Sequence, residues 1–66
     1  MTALQRRKVE LDTLEHQGVE VERLSRWHCR VGPIHLYLST GRWMNELSNA
    51  HGRINHIPLR ELINRE

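Results

Sequence analysis

The clearest structural signal in the chain is the stretch WHCRVGPIHLYL, residues 27–38. Apolar and polar side chains alternate on both sides of Gly32-Pro33, a dipeptide that is typical of turns. The pattern predicts two antiparallel strands, near residues 26–31 and from Ile34 to Ser39, each with one apolar and one polar face. Across this hairpin the polar faces form one surface, which carries Arg26, His28, Arg30, His35, Tyr37 and Ser39.

Two further strands are predicted on either side of this hairpin. Residues 19–23 alternate valines with charged residues, which indicates a preceding strand. After the turn signal Thr40-Gly41, the segment Arg42-Trp43-Met44 predicts a short fourth strand or a hairpin return. Residues 46–56 are rich in turn-forming residues and are predicted to be a loop.

A helix is predicted at each end of the chain. The first spans residues 3–17, because Thr2 and Gln5 have the spacing of a capping box and Gly18 suits the left-handed residue that ends a helix. The second spans residues 58–65 and begins with a proline, which is favoured at the first helical position. The cluster Arg6-Arg7-Lys8 opposes the dipole of the first helix, so either tertiary packing overrides this cost or the cluster binds a partner. A solvated helix face is the alternative to a docking site.

This order of elements predicts one small α+β domain over residues 1–66. Two helices pack on one face of three or four antiparallel strands, which makes a two-layer sandwich. The other face of the sheet is left to solvent or to a partner. The predicted core consists of Leu4, Leu11, Leu14, Val21, Leu36, Leu38, Leu59, Leu62 and Ile63.

Length and composition exclude several classes of protein. The chain has 66 residues, is 38% hydrophobic and 27% charged, and carries a net charge of +2, as is typical of a small globular domain. No apolar run approaches the roughly 18 residues of a membrane span, and no signal-peptide core is evident. The single Cys29 excludes an internal disulfide bond. We therefore expect a cytoplasmic protein with no membrane association and no cofactor.

A chain of this length has a small core. Domains near 60 residues bury only about 60% of the surface of the unfolded chain, so their cores rarely contribute more than about 3–5 kcal/mol of net stability. A homodimer would supply additional buried surface and is compatible with the sequence.

Positive charge is concentrated in the middle of the chain. Residues 23–60 hold six arginines and one acid, Glu46, together with all three aromatic residues. Because arginine binds phosphate and carboxylate groups, this patch predicts a nucleic acid or an acidic protein surface as the partner, against the alternative of a merely solvated sheet face. Trp43 beside Arg42 is typical of an interface, or else of a core tryptophan beneath a hairpin. The predicted binding residues are Arg26, His28, Arg30, His35, Tyr37, Arg42, Trp43 and Arg53.

Histidine and cysteine chemistry offers three alternatives. The spacings His28–His35 and His51–His56 lack the close ligand pairs of structural zinc, so no metal is predicted. Cys29 has the parity of the apolar strand face, where a buried thiol is usually inert. His28 lies between two arginines, where a neutral imidazole can take a proton from the 2′-hydroxyl of an RNA, and it is therefore the candidate catalytic residue in an alternative ribonuclease function.

One resemblance supports that alternative. The predicted helix–strand–strand–strand–helix order resembles the double-stranded-RNA-binding-domain fold of the HicA-type mRNA interferase toxins, and Leu14-Glu15-His16-Gln17-Gly18-Val19 is similar to the helix end in those toxins. His28 falls where their catalytic histidine lies, with Ser25-Arg26-Trp27-His28 in place of their Gly-Ser-His. This resemblance implies a histidine-dependent ribonuclease.

A second resemblance covers most of the chain and implies binding without catalysis. The chain is similar to small phage-encoded accessory proteins of unassigned activity, which commonly act by binding a host or phage macromolecule. It implies a non-enzymatic binding module of accessory or inhibitor type, located in the host cell cytoplasm. The residues that carry it are Val21-Glu22-Arg23-Leu24-Ser25, Trp27-His28-Cys29-Arg30-Val31-Gly32, Ser39-Thr40-Gly41-Arg42-Trp43 and Gly52-Arg53.

Overall fold

A helix, an antiparallel sheet and a second helix follow one another along the chain, which confirms the predicted α+β arrangement. The computed structural model of the protein describes residues 2–55 and 57–65. Its five strands form one sheet in sequential order, each antiparallel to the next. The elements are α1 (Ala3–His16), β1 (Glu22–Arg23), β2 (His28–Val31), β3 (Ile34–Tyr37), β4 (Arg42–Asn45), β5 (His51–Arg53) and α2 (Leu59–Arg65).

The sheet has five strands because part of the segment predicted as a loop, residues 46–56, forms β5. This strand lacks apolar alternation, since its middle residue is Gly52, opposite Trp43 of β4. A Cβ atom at Gly52 would lie 3.0 Å from the indole Nε1 of Trp43. The tryptophan ring therefore occupies the space that an apolar side chain of β5 would ordinarily fill. For this reason the alternation of apolar and polar residues that predicts a strand is absent from β5.

The capping signals of α1 follow the prediction, although the helix ends at His16, one residue earlier than predicted. The Thr2 hydroxyl accepts a hydrogen bond from the Gln5 amide at 3.1 Å, and the Gln5 side chain accepts one from the Thr2 amide at 3.0 Å, which completes the capping box. Gly18 follows the helix with a φ of +95°, a left-handed conformation that glycine adopts without strain.

The basic residues at the start of α1 hold the helix on the sheet. The Arg7 guanidinium donates to the Leu38 carbonyl at 2.9 Å in a partly buried position, and Arg6 donates to the Asn55 carbonyl at 3.1 Å. Lys8 Nζ lies 5.8 Å from the centre of the Trp27 ring. The Arg7 guanidinium also lies against Gly41, where a Cβ atom would approach Nη2 to 2.7 Å. These tertiary contacts explain why cations are found at the start of α1, where the helix dipole disfavours them.

The core lies between the two helices and the inner face of the sheet. All nine predicted core residues belong to it, with Leu4, Val21 and Ile63 only partly buried at its margin. Ile54, directly after β5, is a buried residue that the sequence did not single out. The buried apolar residues are Leu11, Leu14, Cys29, Val31, Ile34, Leu36, Leu38, Trp43, Ile54, Leu59 and Leu62.

Helix α2 begins one residue later than predicted, at Leu59, and depends on α1 for its first turn. The Glu10 carboxylate accepts a hydrogen bond from the Leu59 amide at 2.9 Å. The first amides of a helix have no carbonyl partner within the helix, and here α1 supplies an acceptor for one of them. Within the described residues, neither helix has the length and apolar character that a membrane crossing requires.

Truncating Leu62 to alanine is expected to remove most of the stability. Leu62 is fully buried, and a buried leucine-to-alanine change costs about 2–5 kcal/mol. Leu47→Ala is the matched control, because Leu47 is 82% exposed and its truncation therefore creates no cavity. Urea denaturation measured by circular dichroism tests this, and equal midpoints for the two variants would contradict the packing described here.

Candidate functional site on the open sheet face

The sheet face that turns away from the helices carries six of the eight predicted binding residues. Residues directly opposite each other in a ladder share a face, so the strand register assigns each side chain to one side. We call this surface the outer face. Its first row, across β2 to β5, is His28, Tyr37, Arg42 and Arg53, and its second row is Arg30, His35, Met44 and His51.

Three rings form the centre of the outer face, and we call them the ring cluster: His28, His35 and Tyr37. The His28 and Tyr37 rings are stacked, with centres 4.4 Å apart and planes 17° apart. The His28 Nε2 and His35 Nδ1 atoms are 2.9 Å apart, a hydrogen-bonding distance. All three side chains are partly buried and contact one another, so they form one packed group rather than independent surface groups.

The hydrogen bonds of the ring cluster assign the ring protons. His35 Nε2 lies 3.4 Å from a Glu46 carboxylate oxygen, which only accepts, so this nitrogen carries the hydrogen. In neutral His35 the Nδ1 atom is then an acceptor, and His28 Nε2 donates to it. The second nitrogen of His28, Nδ1, is consequently an acceptor.

The electrostatic surroundings of His28 favour its neutral form. Burial and, secondly, the positive charge that His35 can carry lower the pKa of His28 below its ordinary value. The prediction of a neutral imidazole at this position agrees with this direction.

Arg30, a predicted binding residue, has acidic partners on both sides. It forms ion pairs with Glu22, its partner across the β1–β2 ladder, and with Glu46, whose Oε1 atom is 3.5 Å from Arg30 Nη1. Its charge is therefore neutralised within the protein. The sequence did not indicate these pairs, because neither acid is close to Arg30 along the chain.

Arg42 and Arg53 lie directly opposite each other in the β4–β5 ladder. Both are exposed, and in the part of the chain that the structure describes neither forms an ion pair. Like charges directly opposite in a sheet are destabilising. We call these two residues the arginine pair, and they are the strongest local accumulation of unneutralised charge on the outer face.

Arg26 does not share a strand face with His28 and Arg30, contrary to the prediction. The Leu24 and Ser25 amides both donate to the His28 carbonyl, at 2.9 and 3.1 Å, which closes a turn before β2 begins. Arg26 lies in that turn, with its guanidinium carbon 5.0 Å from the centre of the Trp27 ring. It remains close to the first row, but as a turn residue.

Trp43 lies on the inner face and is 7% exposed, so it is the core tryptophan of the two alternatives. Its strand parity is opposite to that of Arg42, and it packs against Gly52. Trp43 is therefore separated from the other predicted binding residues by the sheet itself. Conversely, Thr40 and His51 lie at the outer face, although neither was among the predicted binding residues.

Six of the ten lysine and arginine side chains lie at one end of the sheet, which we call the basic end, and of these Arg6 also pairs with Glu10 at 3.9 Å. The first row runs across the strands at this end. Arg6 donates to a carbonyl just after β5, and Arg7 donates to one just after β3. Glu22 and Glu46 lie towards the opposite end, beside the second row. The basic end consists of Arg6, Arg7, Lys8, Arg26, Arg42 and Arg53.

Within the described residues, Cys29 is not activated and no metal-binding group is formed. Cys29 is 1% exposed, and burial raises the pKa of its thiol, so the reactive thiolate is disfavoured. Across residues 2–55 and 57–65, no three His, Cys, Asp or Glu side chains are grouped to hold a metal ion. His56, considered above as half of a histidine pair, lies outside the described residues.

No protein-family model, curated protein or solved structure matches this chain. The resemblances to HicA-type toxins and to phage accessory proteins stay predictions from the residues quoted above.

Acid is expected to destabilise the fold through His28. Because the pKa of His28 is lowered in the folded state, the unfolded chain takes up a proton first as the pH falls through about 6.5. The free energy of unfolding therefore decreases below that pH, until the folded pKa is passed. NMR titration of the ring protons measures the pKa of His28 in the folded protein. His35→Gln should raise that pKa, because it removes the neighbouring charge. A His28 midpoint at or above about 6.5 in the parent would contradict the prediction.

Proposed function

We propose that the protein is a small, non-enzymatic binding module that binds nucleic acid through its outer face. The first row carries this proposal, since it aligns two stacked rings with two arginines that have no acidic partner among the described residues. An accessory or inhibitor role in the cytoplasm of a phage-infected host, as the resemblance implies, belongs to the same proposal.

The arginine pair supports a polyanionic partner. Two guanidinium groups held on opposite residues repel each other, and a bound anion removes this cost. The neighbouring cations of the basic end extend the positive potential beyond the pair, which raises the local concentration of a polyanion. The net charge of the whole chain is only +2, so the attraction depends on this segregation.

The ring cluster favours nucleic acid over an acidic protein surface. Aromatic rings on an open sheet stack on bases, and arginine binds the adjoining phosphates. An acidic protein would use the arginines but has no need of a cluster of three neighbouring rings. With Trp43 in the core, the outer face also lacks the buried aromatic anchor that is common at the centre of a protein interface.

Charge removal at the arginine pair is expected to weaken nucleic-acid binding in a salt-dependent manner. Arg42→Gln and Arg53→Gln should each reduce the log–log salt slope by about 0.7–0.9, the value for one phosphate contact. Arg60→Gln, an exposed residue of α2, is the control with the same loss of charge. Fluorescence anisotropy of labelled RNA and DNA over a potassium chloride series provides the measurement.

Two results would contradict the proposal. One is an equal effect of all three substitutions, which would mean that only net charge matters. The other is displacement of nucleic acid by polyglutamate at equal charge concentration, which would indicate an acidic protein partner.

One observation favours a second function, RNA cleavage by His28. The bond to His35, which Glu46 orients in turn, leaves His28 Nδ1 as an acceptor at the edge of the basic end, as a general base requires. In this alternative, His28→Ala abolishes cleavage of a labelled RNA even at protein concentrations that saturate binding. Parent protein that binds RNA and leaves it intact would exclude the alternative.

A further inference from the structure

A shallow depression on the outer face brings together four side chains that complement one nucleotide. It is lined by Tyr37, Thr40, Arg42 and Arg53. A ring, a hydroxyl and two guanidinium groups thus border one space. The depression lies at the basic end and is open to solvent.

The arginine pair and Thr40 form the phosphate-binding part of this depression. Arginine presents five N–H donors in a planar arrangement that suits phosphate oxygens, and two such groups lie on opposite residues here. The Thr40 hydroxyl has only a long contact, 3.5 Å to the Tyr37 carbonyl, so it can turn to donate to an anion. Arg7 holds the turn that carries Thr40 by its bond to the Leu38 carbonyl, which keeps this geometry in place.

Tyr37 forms the base-binding part. His28 stacks on one face of the Tyr37 ring at 4.4 Å, so that face is occupied. The ring also lines the depression, on the side of β4 and the arginine pair. A base can therefore stack on Tyr37 from the depression while its phosphate contacts the arginines.

A base is available for such stacking only when it is unpaired. In a duplex both faces of each base are covered by neighbouring pairs, and a protein then contacts mainly the phosphates and the grooves. The geometry points to a single-stranded nucleic acid as the ligand, with one phosphate on Arg42 and Arg53 and the adjoining base on Tyr37. This inference rests on the proposed function and specifies its substrate class.

The test compares an oligouridylate with a blunt RNA duplex of the same length, both fluorescein-labelled, by anisotropy at low ionic strength. The parent is expected to bind the oligouridylate more tightly. Tyr37→Leu should weaken that binding between about fivefold and about 150-fold, the range for loss of one base–aromatic stack, and should leave duplex binding unchanged. Tyr37→Phe retains the ring and is expected to retain binding. Thermal melts of each variant confirm that it is folded.

The outcomes separate this inference from the function on which it rests. Duplex binding as tight as that of the oligouridylate, with Tyr37→Leu unchanged and Arg42→Gln weakened, would overturn the single-strand inference and leave nucleic-acid binding in place. Failure of the parent to bind either probe would overturn both. Selective loss of oligouridylate binding in Tyr37→Leu, with recovery in Tyr37→Phe, supports both.

Discussion

Two short helices cover only one face of the five-stranded sheet, and this constraint determines the side on which each strand residue lies. Cys29, Leu36 and Trp43 occupy the covered face because they are apolar, so the residues next to them in the chain must lie on the outer face. A shift of one residue in register would exchange the two sets. The alignment of rings and arginines is thus held in place by the packing energy of the core on the other side of the sheet.

The elements that could be predicted are those with a local signal. The capping residues of α1 and the alternation around Gly32-Pro33 depend on neighbours along the chain, and both were confirmed. Strand β5 could not be predicted, because its middle residue is Gly52, whose missing side chain leaves room for the Trp43 indole of β4. Arg26 was wrongly placed for a related reason: the hydrogen bonds to the His28 carbonyl that close the turn leave no pattern in the sequence.

The candidate site was predicted in outline but not in its charge. Strand parity correctly placed His28, His35 and Tyr37 on one surface. Sequence position could not distinguish Arg30, which acids from two other segments neutralise, from Arg42, which has no acidic partner among the described residues. That distinction depends on contacts across strands. It moves the expected centre of binding from the middle of the hairpin to the β4–β5 edge of the sheet.

The two edge strands are the shortest in the sheet, with two residues in β1 and three in β5, and they carry charged or imidazole side chains. Long, flat, apolar edges are templates for pairing with another chain, and short charged edges are a common protection against aggregation. An open sheet, unlike a closed barrel, has two such edges. Here each edge presents only two or three strand residues, so neither edge of the described sheet is a long template for pairing with another chain.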